Sequence, residues 1–506
     1  LAAFVTPAVF AGGAQETGDV DFTARLETAL ANSDFTEEEA QAIADAVAER
    51  STGDVEDADA EVVARALSHA KSEKLAVLIP GMGAVGTTMI AGVLAARRGW
   101  ADPIGSLVEY GRLELEDGSV PMREAVELAE LDNLVFGGWD IFEDSAYDAA
   151  RSAGVLSDRH LDLLRDELDS IEPMPAVFDR EFVRNLDGPN VKPPASKMAW
   201  AEALMEDIET FMTHHECERG VGIWCGSTEV HVDLQDVHLS LSAFEQGLRD
   251  DHPAISPTMI YAYAHLRCGL PFVNAAPNRA LDLPAMVELA EREGVPTAGK
   301  DLKTGQTLMK TILAPGLAAR KLKVRGWYST NILGNRDGAV LDDPGSFRTK
   351  EESKLSVLDS IFDKEEQPQL YDDVQHKVRI DYYPPRGDNK EGWDNIDFSG
   401  WMDYPMELKI NFLCRDSILA APLVLDLALF ADLAHRQGLA GPQPWLSFYF
   451  KSPQVRSGEM PVHNLFDQLD MLTSELRQIA EASTAHRSRV PQRDDERPAA
   501  AEATGE

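Results

Sequence analysis

Lysines recur in short polar segments of a chain that is otherwise strongly acidic. The segments are KDLKTGQTLMK from Lys300, FRTKEESK ending at Lys354, RGDNK ending at Lys390 and FYFKSP around Lys451. Ammonium groups bind phosphate, stabilise negative charge that develops on oxygen, and transfer protons. A glycine-rich sequence, GMGAVG, lies upstream of all four segments. Together these features predict that one chain binds a dinucleotide cofactor and a phosphorylated substrate.

The glycine-rich sequence has the spacing of a dinucleotide-binding turn. Gly81, Gly83 and Gly86 follow the apolar strand LAVLIP and precede the apolar helix TTMIAGVLAARRG. The first glycine permits a tight turn, the second lets the backbone approach a pyrophosphate, and the third lets the helix pack closely. An acidic residue about 20 positions further on would bind the ribose, which points to Asp102 or Glu109. The alternative is a structural turn without a cofactor.

The segment around residues 304–307 predicts a phosphate site. The sequence TGQT precedes an apolar helical run, which would place the hydroxyl of Thr304 and backbone amides at a helix start. Lys303 and Lys310 would lie nearby, and this combination suits a phosphate monoester. The alternative is a capped helix with solvated lysines.

Lys350 and Lys354 are four residues apart and share one face if their segment is helical. Like charges at this spacing repel, so the pair is easier to understand if an anion or a carboxylate such as Asp301 lies opposite. A solvated helix face is the alternative.

Composition limits the class of protein. The chain has 506 residues, is 44% hydrophobic, and carries a formal net charge of -39. This length favours two domains plus extensions, and the acidic balance disfavours nucleic-acid and membrane partners. We expect no apolar run near the roughly 18 residues that span a bilayer. The four cysteines form no C-x-x-C pair, which favours a reducing, cytoplasmic compartment. No metal site is expected, because the residues of THHEC are adjacent and would point in different directions on a helix.

Eight stretches of the sequence resemble the myo-inositol-phosphate synthase family, in particular its bacterial branch. They are FGGWDIFEDSAYDAA, ISPTMIYAYAHL, DLKTGQT, NILGNRDG, FRTKEESK, GDNK, LCRDSILAAPLVLDL and FYFKSP, in the family's order. The resemblance implies conversion of glucose 6-phosphate to inositol 3-phosphate with NAD held through the cycle. The implied steps are oxidation, enolisation, aldol closure and reduction. It also implies a homotetramer.

The resemblance assigns roles to individual positions, and Asp140 of GGWD replaces Asp102 and Glu109 as the ribose-binding acid. The implied catalytic residues are Lys350, Lys390, Lys451, Asp301 and Asp337, with Lys350 and Lys451 as the central pair. The implied substrate-binding residues are Thr304, Gly305, Gln306, Asn331, Asn335 and Lys354. The implied cofactor-binding residues are Gly81, Gly83, Gly86, Asp140, Asp388 and Asp416.

We therefore predict an α/β protein with a Rossmann-like, doubly wound parallel sheet and an inserted α+β catalytic and oligomerisation domain. The predicted parts are an acidic helical extension (1–73), an NAD-binding domain (74–306), a catalytic and tetramerisation domain (307–416), a return to the NAD-binding domain (417–483) and a disordered tail (484–506). The alternatives for function are an NAD-dependent sugar-phosphate dehydrogenase and an NAD-binding regulatory protein without turnover.

Overall fold

The structure is a computed structural model that describes residues 74–116 and 118–489, and the side chains of all of these except 351–356 and 483–489. The predicted extension of residues 1–73 lies outside the described residues. The strands are β1 (Leu75–Pro80), β2 (Arg112–Leu115), β3 (Gly118–Pro121), β4 (Leu134–Asp140), β5 (Met174–Pro175), β6 (Arg219–Trp224), β7 (Phe272–Asn274), β8 (Pro296–Gly299), β9 (Lys323–Leu333), β10 (Gln375–Tyr382), β11 (Asn389–Ser399), β12 (Pro405–Arg415) and β13 (Gly441–Pro442).

The helices alternate with these strands over most of the described chain. They are α1 (Ala84–Arg97), α2 (Leu107–Tyr110), α3 (Met122–Ala125), α4 (Ala146–Ala153), α5 (Asp158–Leu163), α6 (Arg165–Asp169), α7 (Lys197–His214), α8 (Leu241–Arg249), α9 (Pro257–Arg267), α10 (Pro284–Arg292), α11 (Gly305–Ala319), α12 (Arg336–Leu341), α13 (Pro344–Ile361), α14 (Pro368–Tyr371), α15 (Asp416–Arg436) and α16 (Leu465–Arg489).

A seven-stranded parallel sheet forms the larger part of the fold, with the strand order β13-β8-β7-β6-β1-β4-β5. Strand β1 is buried along its whole length, as its continuous apolar sequence predicts. Val77 and Ile79 belong to the core that includes α1 and α15, whereas Leu78 belongs to the core that includes α7, α8, α9 and α10. Helices therefore cover both faces, and the predicted doubly wound α/β fold is confirmed.

The order of the strands reverses direction at β1. The chain first builds outward through β4 and β5, and then returns to β6 on the other side of β1 before it continues through β7 and β8. The loops that leave β1 and β6 therefore diverge at the carboxyl ends of these strands. Ligands bind α/β proteins in the crevice at such a switch point.

A four-stranded sheet with the order β10-β9-β11-β12 forms the second part. Strand β9 pairs in parallel with β10 and antiparallel with β11, which pairs antiparallel with β12. Helices α11 and α13 pack beside this sheet. Because α15 starts at Asp416, directly after β12, and β13 joins the first sheet, the topology is compatible with the predicted insertion. The domain boundaries themselves stay a prediction.

Helix α15 is the one described helix that is long and apolar enough to cross a membrane. The most apolar 18-residue stretch of this helix has a mean hydropathy of 1.9. The expectation that the chain has no apolar run of membrane-spanning length is therefore wrong for this segment. That stretch is 78% buried, and Asp426 on this helix accepts hydrogen bonds from the Ser106 hydroxyl and the Tyr449 hydroxyl. Helix α15 is therefore a core helix of the parallel sheet.

Helix α16 ends later than the sequence analysis predicts. It continues to Arg489, past the predicted start of the tail at residue 484, and the remaining residues 490–506 lie outside the described part. Leu472 and Leu476 bury one side of α16 in the core of the first sheet.

Candidate functional site

A cavity of about 510 Å³ lies at the carboxyl ends of β1, β4 and β6 and extends to the second sheet. The structure brings together most of the residues that the sequence analysis assigns to cofactor and substrate. Those that line the cavity are Gly81, Gly83, Asp140, Asp301, Thr304, Asn335, Asp337, Lys350, Asp416 and Lys451.

The glycine turn joins β1 to α1 at one end of this cavity. Gly81 has a φ of +88°, and a Cβ there would lie 2.3 Å from the Cα of Gly226, so only glycine fits. A Cβ at Gly83 would meet no atom within 4 Å, so the backbone is open to the cavity at this point. Gly86 packs against Ile79, whose Cγ2 would lie 3.2 Å from a Cβ. The turn can therefore admit a pyrophosphate at the start of α1.

Asp140 ends β4, the strand beside β1, and lines the cavity. Burial raises the pKa of its carboxyl group. An acid at this position suits a ribose hydroxyl. Asp102 and Glu109, the candidates from spacing alone, do not line this cavity, and Glu109 pairs with Arg123 at 2.5 Å. The spacing rule fails because α2, the β2–β3 hairpin and α3 stand between α1 and β4.

Three lysines and two aspartates form a buried charged cluster at the other end of the cavity. Asp301 Oδ1 accepts hydrogen bonds from Lys350 Nζ at 2.9 Å and from Lys451 Nζ at 3.0 Å. Asp416 Oδ2 accepts from Lys390 Nζ at 2.7 Å. The segments that carry these lysines are a helix (α13), a strand (β11) and the loop after β13. Ion pairs thus hold together groups that are far apart in sequence.

The three lysines differ in proton affinity. Burial lowers the pKa of Lys451 to about 8, with the Lys350 and Lys390 ammonium groups adding to the effect. Burial also opposes the charge on Lys350, but Asp301 and Asp337 outweigh it and raise its pKa. For Lys390, Asp416 and Asp337 likewise outweigh burial and raise the pKa. Lys451 is therefore the lysine suited to proton transfer near neutral pH.

Asp416 stays ionised beside these lysines. Burial favours its neutral form, yet the Lys390 and Lys451 ammonium groups outweigh burial and hold the pKa of Asp416 well below its usual range.

The predicted phosphate and sugar residues fall on both sheets. Thr304 precedes α11 and lines the cavity, and Gly305 begins this helix with a φ of +55°. Asn335 also lines the cavity, and it caps α12 through Gly338 N at 3.1 Å. Asn331 is buried on β9, and its Nδ2 has no hydrogen-bond partner among the described residues. Asn331 does not line the cavity, so its predicted contact with the sugar stays a prediction.

Gln306 and Asp388 do not line the cavity but support residues that do. Gln306 Nε2 donates to Asp394 Oδ2 at 2.8 Å, which fixes the first turn of α11 to β11. Asp388 Oδ1 accepts from Asn335 Nδ2 at 3.0 Å and from Ser417 Oγ at 3.0 Å, whereas its Oδ2 has no partner within the described chain. Burial raises the pKa of Asp388.

Lys303 and Lys310, which the sequence places near the phosphate, point elsewhere. Lys303 donates to Gln468 on α16, and burial lowers its pKa to about 7. Lys310 Nζ lies 2.7 Å from His376 Nε2 on β10. Neither side chain lines the cavity, because both point into the packed interior. Lys354 lies on α13, and its side chain is outside the described part, so its predicted role stays a prediction.

The sequence analysis did not identify Asp394 and Glu229. Asp394 also accepts from Trp327 Nε1 at 2.8 Å and Ser329 Oγ at 2.6 Å. Glu229 lines the cavity shortly after β6. Asp140 and Glu229 are both acidic residues at or shortly after the end of a buried parallel strand. This sequence signal could have identified Glu229 as a candidate.

The arrangement fits a dinucleotide and a phosphorylated sugar. The open backbone at Gly83 and the acid at Asp140 suit a cofactor. The lysine cluster suits a substrate that gains negative charge on oxygen. Fold and site together define a dinucleotide-binding α/β protein with a lysine-rich second site.

Comparison with known proteins identifies the family. A family model described as myo-inositol-1-phosphate synthase, of an NAD-binding group, matches residues 75–477. An inositol-3-phosphate synthase from Bacteroides thetaiotaomicron is 53% identical over 409 residues, which cover 80% of this chain and 95% of the relative. One from Saccharomyces cerevisiae is 29% identical over 457 residues, which cover 80% of this chain and 85% of that relative. The crystal structure of the Caenorhabditis elegans inositol-3-phosphate synthase superposes with a TM-score of 0.76 at 28% identity. The superposition covers 80% of this chain and 86% of the Caenorhabditis elegans chain.

The chain belongs to the myo-inositol-1-phosphate synthase family. The predicted resemblance, enzyme class and NAD cofactor are confirmed, and the names of the relatives agree with a synthase and with neither alternative function.

Proposed function

We propose that this chain converts D-glucose 6-phosphate to 1D-myo-inositol 3-phosphate by internal oxidation, enolisation, aldol cyclisation and reduction. The observation that carries the proposal is the lysine cluster of a cavity that also contains the glycine turn. Lys350 and Lys451 line this cavity, and Lys390 lies behind its wall, paired with the lining residue Asp416. Family membership supports the same reaction.

NAD bound at the glycine turn supplies a hydride acceptor and donor, so that oxidation and reduction cancel within one cycle. The turn at Gly81 and Gly83 would hold the pyrophosphate, with Gly86 bringing α1 close to β1, and Asp140 would hold a ribose hydroxyl. Asp388 and Asp416 would form the polar side of the cofactor site near the lysines.

The substrate phosphate would bind at the start of α11. Thr304 and the backbone of Gly305 and Gln306 would provide donors at a helix N-terminus, where an anion is favoured. Asn335 and Lys354 would add further donors from α12 and α13. Asn331, Asp301 and Asp337 would contact the sugar hydroxyls.

The lysines would stabilise and protonate oxygen during ring closure. Enolisation and aldol closure both place negative charge on substrate oxygen, first as an enolate and then as an alkoxide. Lys350 and Lys390, whose pKa values are raised, would stay cationic and stabilise this charge. Lys451, whose pKa is about 8, would exchange protons with the substrate.

The direct test is mass spectrometry and chromatography of the product formed from glucose 6-phosphate with a catalytic amount of NAD. We expect inositol 3-phosphate without stoichiometric NADH. NADH that accumulates in proportion to the substrate consumed would instead identify a sugar-phosphate dehydrogenase. Cofactor binding without any turnover would identify a regulatory protein.

We also propose a homotetramer in which residues 307–416 form the catalytic and oligomerisation domain, and the flanking parts 74–306 and 417–483 form the NAD-binding domain. Support comes from large apolar side chains that share one exposed face of the second sheet, namely Tyr328, Trp393 and Leu413. A cytoplasmic location is proposed because the four cysteines, all within the described residues, form no disulfide bond.

A further inference from the structure

Helix α13, which carries Lys350, is attached to the loop that follows β6 at two points one turn apart. Thr349 Oγ1 donates to the backbone carbonyl of Glu229 at 3.0 Å, and His231 N donates to the carbonyl of Gly345 at 3.2 Å. Consecutive side chains on a helix point about 100° apart. Thr349 can therefore contact the loop while the neighbouring Lys350 points to the charged cluster in the cavity.

The loop itself is held in place by buried polar side chains. Glu229 N donates to Asn278 Oδ1 at 2.8 Å, and Glu229 Oε1 accepts from Thr258 N at the start of α9 at 2.9 Å. Asn278 Nδ2 donates to Thr258 Oγ1 at 2.8 Å and to the carbonyl of Ser227 at 3.0 Å. Glu229, Asn278 and Thr258 are all buried. The loop is thus a fixed support that belongs to the first sheet.

The same loop contributes to the wall of the cavity. Ser227, Thr228 and Glu229 line it together with Gly81 and Lys350. The hydroxyl of Thr349 therefore links a helix from the second part of the fold to a loop beside the glycine turn. A helix shift of about 1 Å would misplace the Lys350 ammonium group relative to Asp301 and the reacting sugar, and misplacement of that size costs up to about 10²-fold in rate.

We propose that Thr349 is a positioning residue for Lys350, acting through its hydrogen bond to the fixed Glu229 carbonyl. The inference rests on the proposed synthase function, because Lys350 is assigned there to charge stabilisation. Thr349 does not line the cavity, so its hydroxyl acts on the reaction only through the helix.

Three variants test this role. Thr349→Val keeps the shape and removes the hydroxyl, whereas Thr349→Ser keeps the hydroxyl. Thr473→Val is the matched control, because the Thr473 hydroxyl bonds to Leu469 O at 2.9 Å within α16 and contacts nothing in the cavity. We expect kcat of Thr349→Val to fall about 10-fold, with KM and NAD affinity within about twofold of wild type. Thr349→Ser and Thr473→Val should both retain kcat within about twofold.

The outcomes are distinct. Thr349→Val with unchanged kcat, or Thr349→Ser with a loss as large as that of Thr349→Val, would overturn the positioning role. Crystal structures of wild type and Thr349→Val provide a readout that does not depend on activity. We expect the Lys350 Nζ–Asp301 Oδ1 contact of 2.9 Å to lengthen in the variant, and an unchanged contact would refute the inference. A wild-type protein that forms no inositol phosphate would refute the proposed function instead, and the crystallographic comparison would still decide the role of Thr349.

Discussion

At the scale of single residues, Lys451 is set apart by its proton affinity. It is enclosed by two other lysines and two aspartates, and burial lowers its pKa to about 8. A general acid must be protonated to act, so its contribution is complete below this pKa and is lost as the pH rises through it. We expect kcat to fall about tenfold per pH unit above an inflection near 8. The measurement is a pH–kcat profile at saturating substrate.

A second buried lysine provides the control for this profile. Lys303 has a pKa lowered to about 7 by burial, but it pairs with Gln468 away from the cavity. Lys303→Met should therefore retain the inflection near 8. Loss of the inflection in that variant, or a flat wild-type profile from pH 7 to about 10, would contradict the assignment to Lys451.

Removal of either central lysine should affect turnover far more than cofactor binding. Lys350 and Lys451 both bond to Asp301, and neither belongs to the glycine turn. Loss of one charge-stabilising donor costs about 10²- to 10³-fold, so Lys350→Ala and Lys451→Ala should each lose this much kcat. Calorimetry should show NAD binding in both. The control is Lys364→Ala, which removes a lysine paired with Asp359 on the surface and should change neither kcat nor NAD binding. If a variant at either central position kept half of normal kcat or more, that lysine would be excluded from the catalytic set.

At the scale of secondary-structure elements, a substitution in the glycine turn should change cofactor binding without changing the stability of the fold. A Cβ at Gly83 would meet no protein atom within 4 Å but would project where the turn opens to the cavity. We expect Gly83→Ala to weaken NAD binding about tenfold or more, equivalent to at least about 1.4 kcal/mol, with little change in Tm. Isothermal titration and thermal unfolding measure the two effects. Gly92→Ala, inside α1 and also free of close contacts, should bind NAD normally. Normal NAD affinity in Gly83→Ala as well would place the pyrophosphate elsewhere.

Local sequence predicted the elements better than it predicted the contacts between them. The buried strand β1, the turn at Gly81 and the helix start at Gly305 follow from short-range patterns, since each depends on neighbouring residues. The assignment of Asp140 to the ribose required the family resemblance, because a hairpin and short helices lengthen the segment before β4. The bond between Thr349 and Glu229 joins residues 120 positions apart, and no local pattern encodes such a pairing. The turning of Lys303 away from the cavity likewise depends on α16, which is remote in sequence.

At the scale of the whole molecule, the exposed face of the second sheet predicts the assembly. Trp393 is 46% exposed and Leu413 is 59% exposed on the same face. Burial of such side chains stabilises association, so Trp393→Glu should dissociate the proposed tetramer into smaller species of lower mass, measured by light scattering. Trp100→Glu is the control, because Trp100 is 51% exposed but follows α1, a helix that packs in the core of the first sheet. An unchanged mass for Trp393→Glu, or dissociation by Trp100→Glu, would assign the interface to another surface.

The first 71 residues should be dispensable for catalysis. The residues assigned to cofactor, substrate and catalysis lie between Gly81 and Lys451, β1 begins at Leu75, and the family match begins at residue 75. The Bacteroides thetaiotaomicron relative is matched over 95% of its own length by 80% of this chain, so a synthase of this family needs little beyond the matched part. We therefore expect a protein that starts at Ser72 to keep its oligomeric mass and to retain kcat within about twofold.

The same truncation should lower solubility, because acidic residues outnumber basic ones in the removed segment and net charge opposes association. Turnover and light scattering of the truncated and full-length chains, compared at equal protein concentration, separate these effects. If the truncated protein formed intact oligomers and still lost turnover, the removed residues would have a catalytic or regulatory role that the cavity does not reveal. Lost turnover together with lost oligomers would instead show that the segment stabilises the assembly.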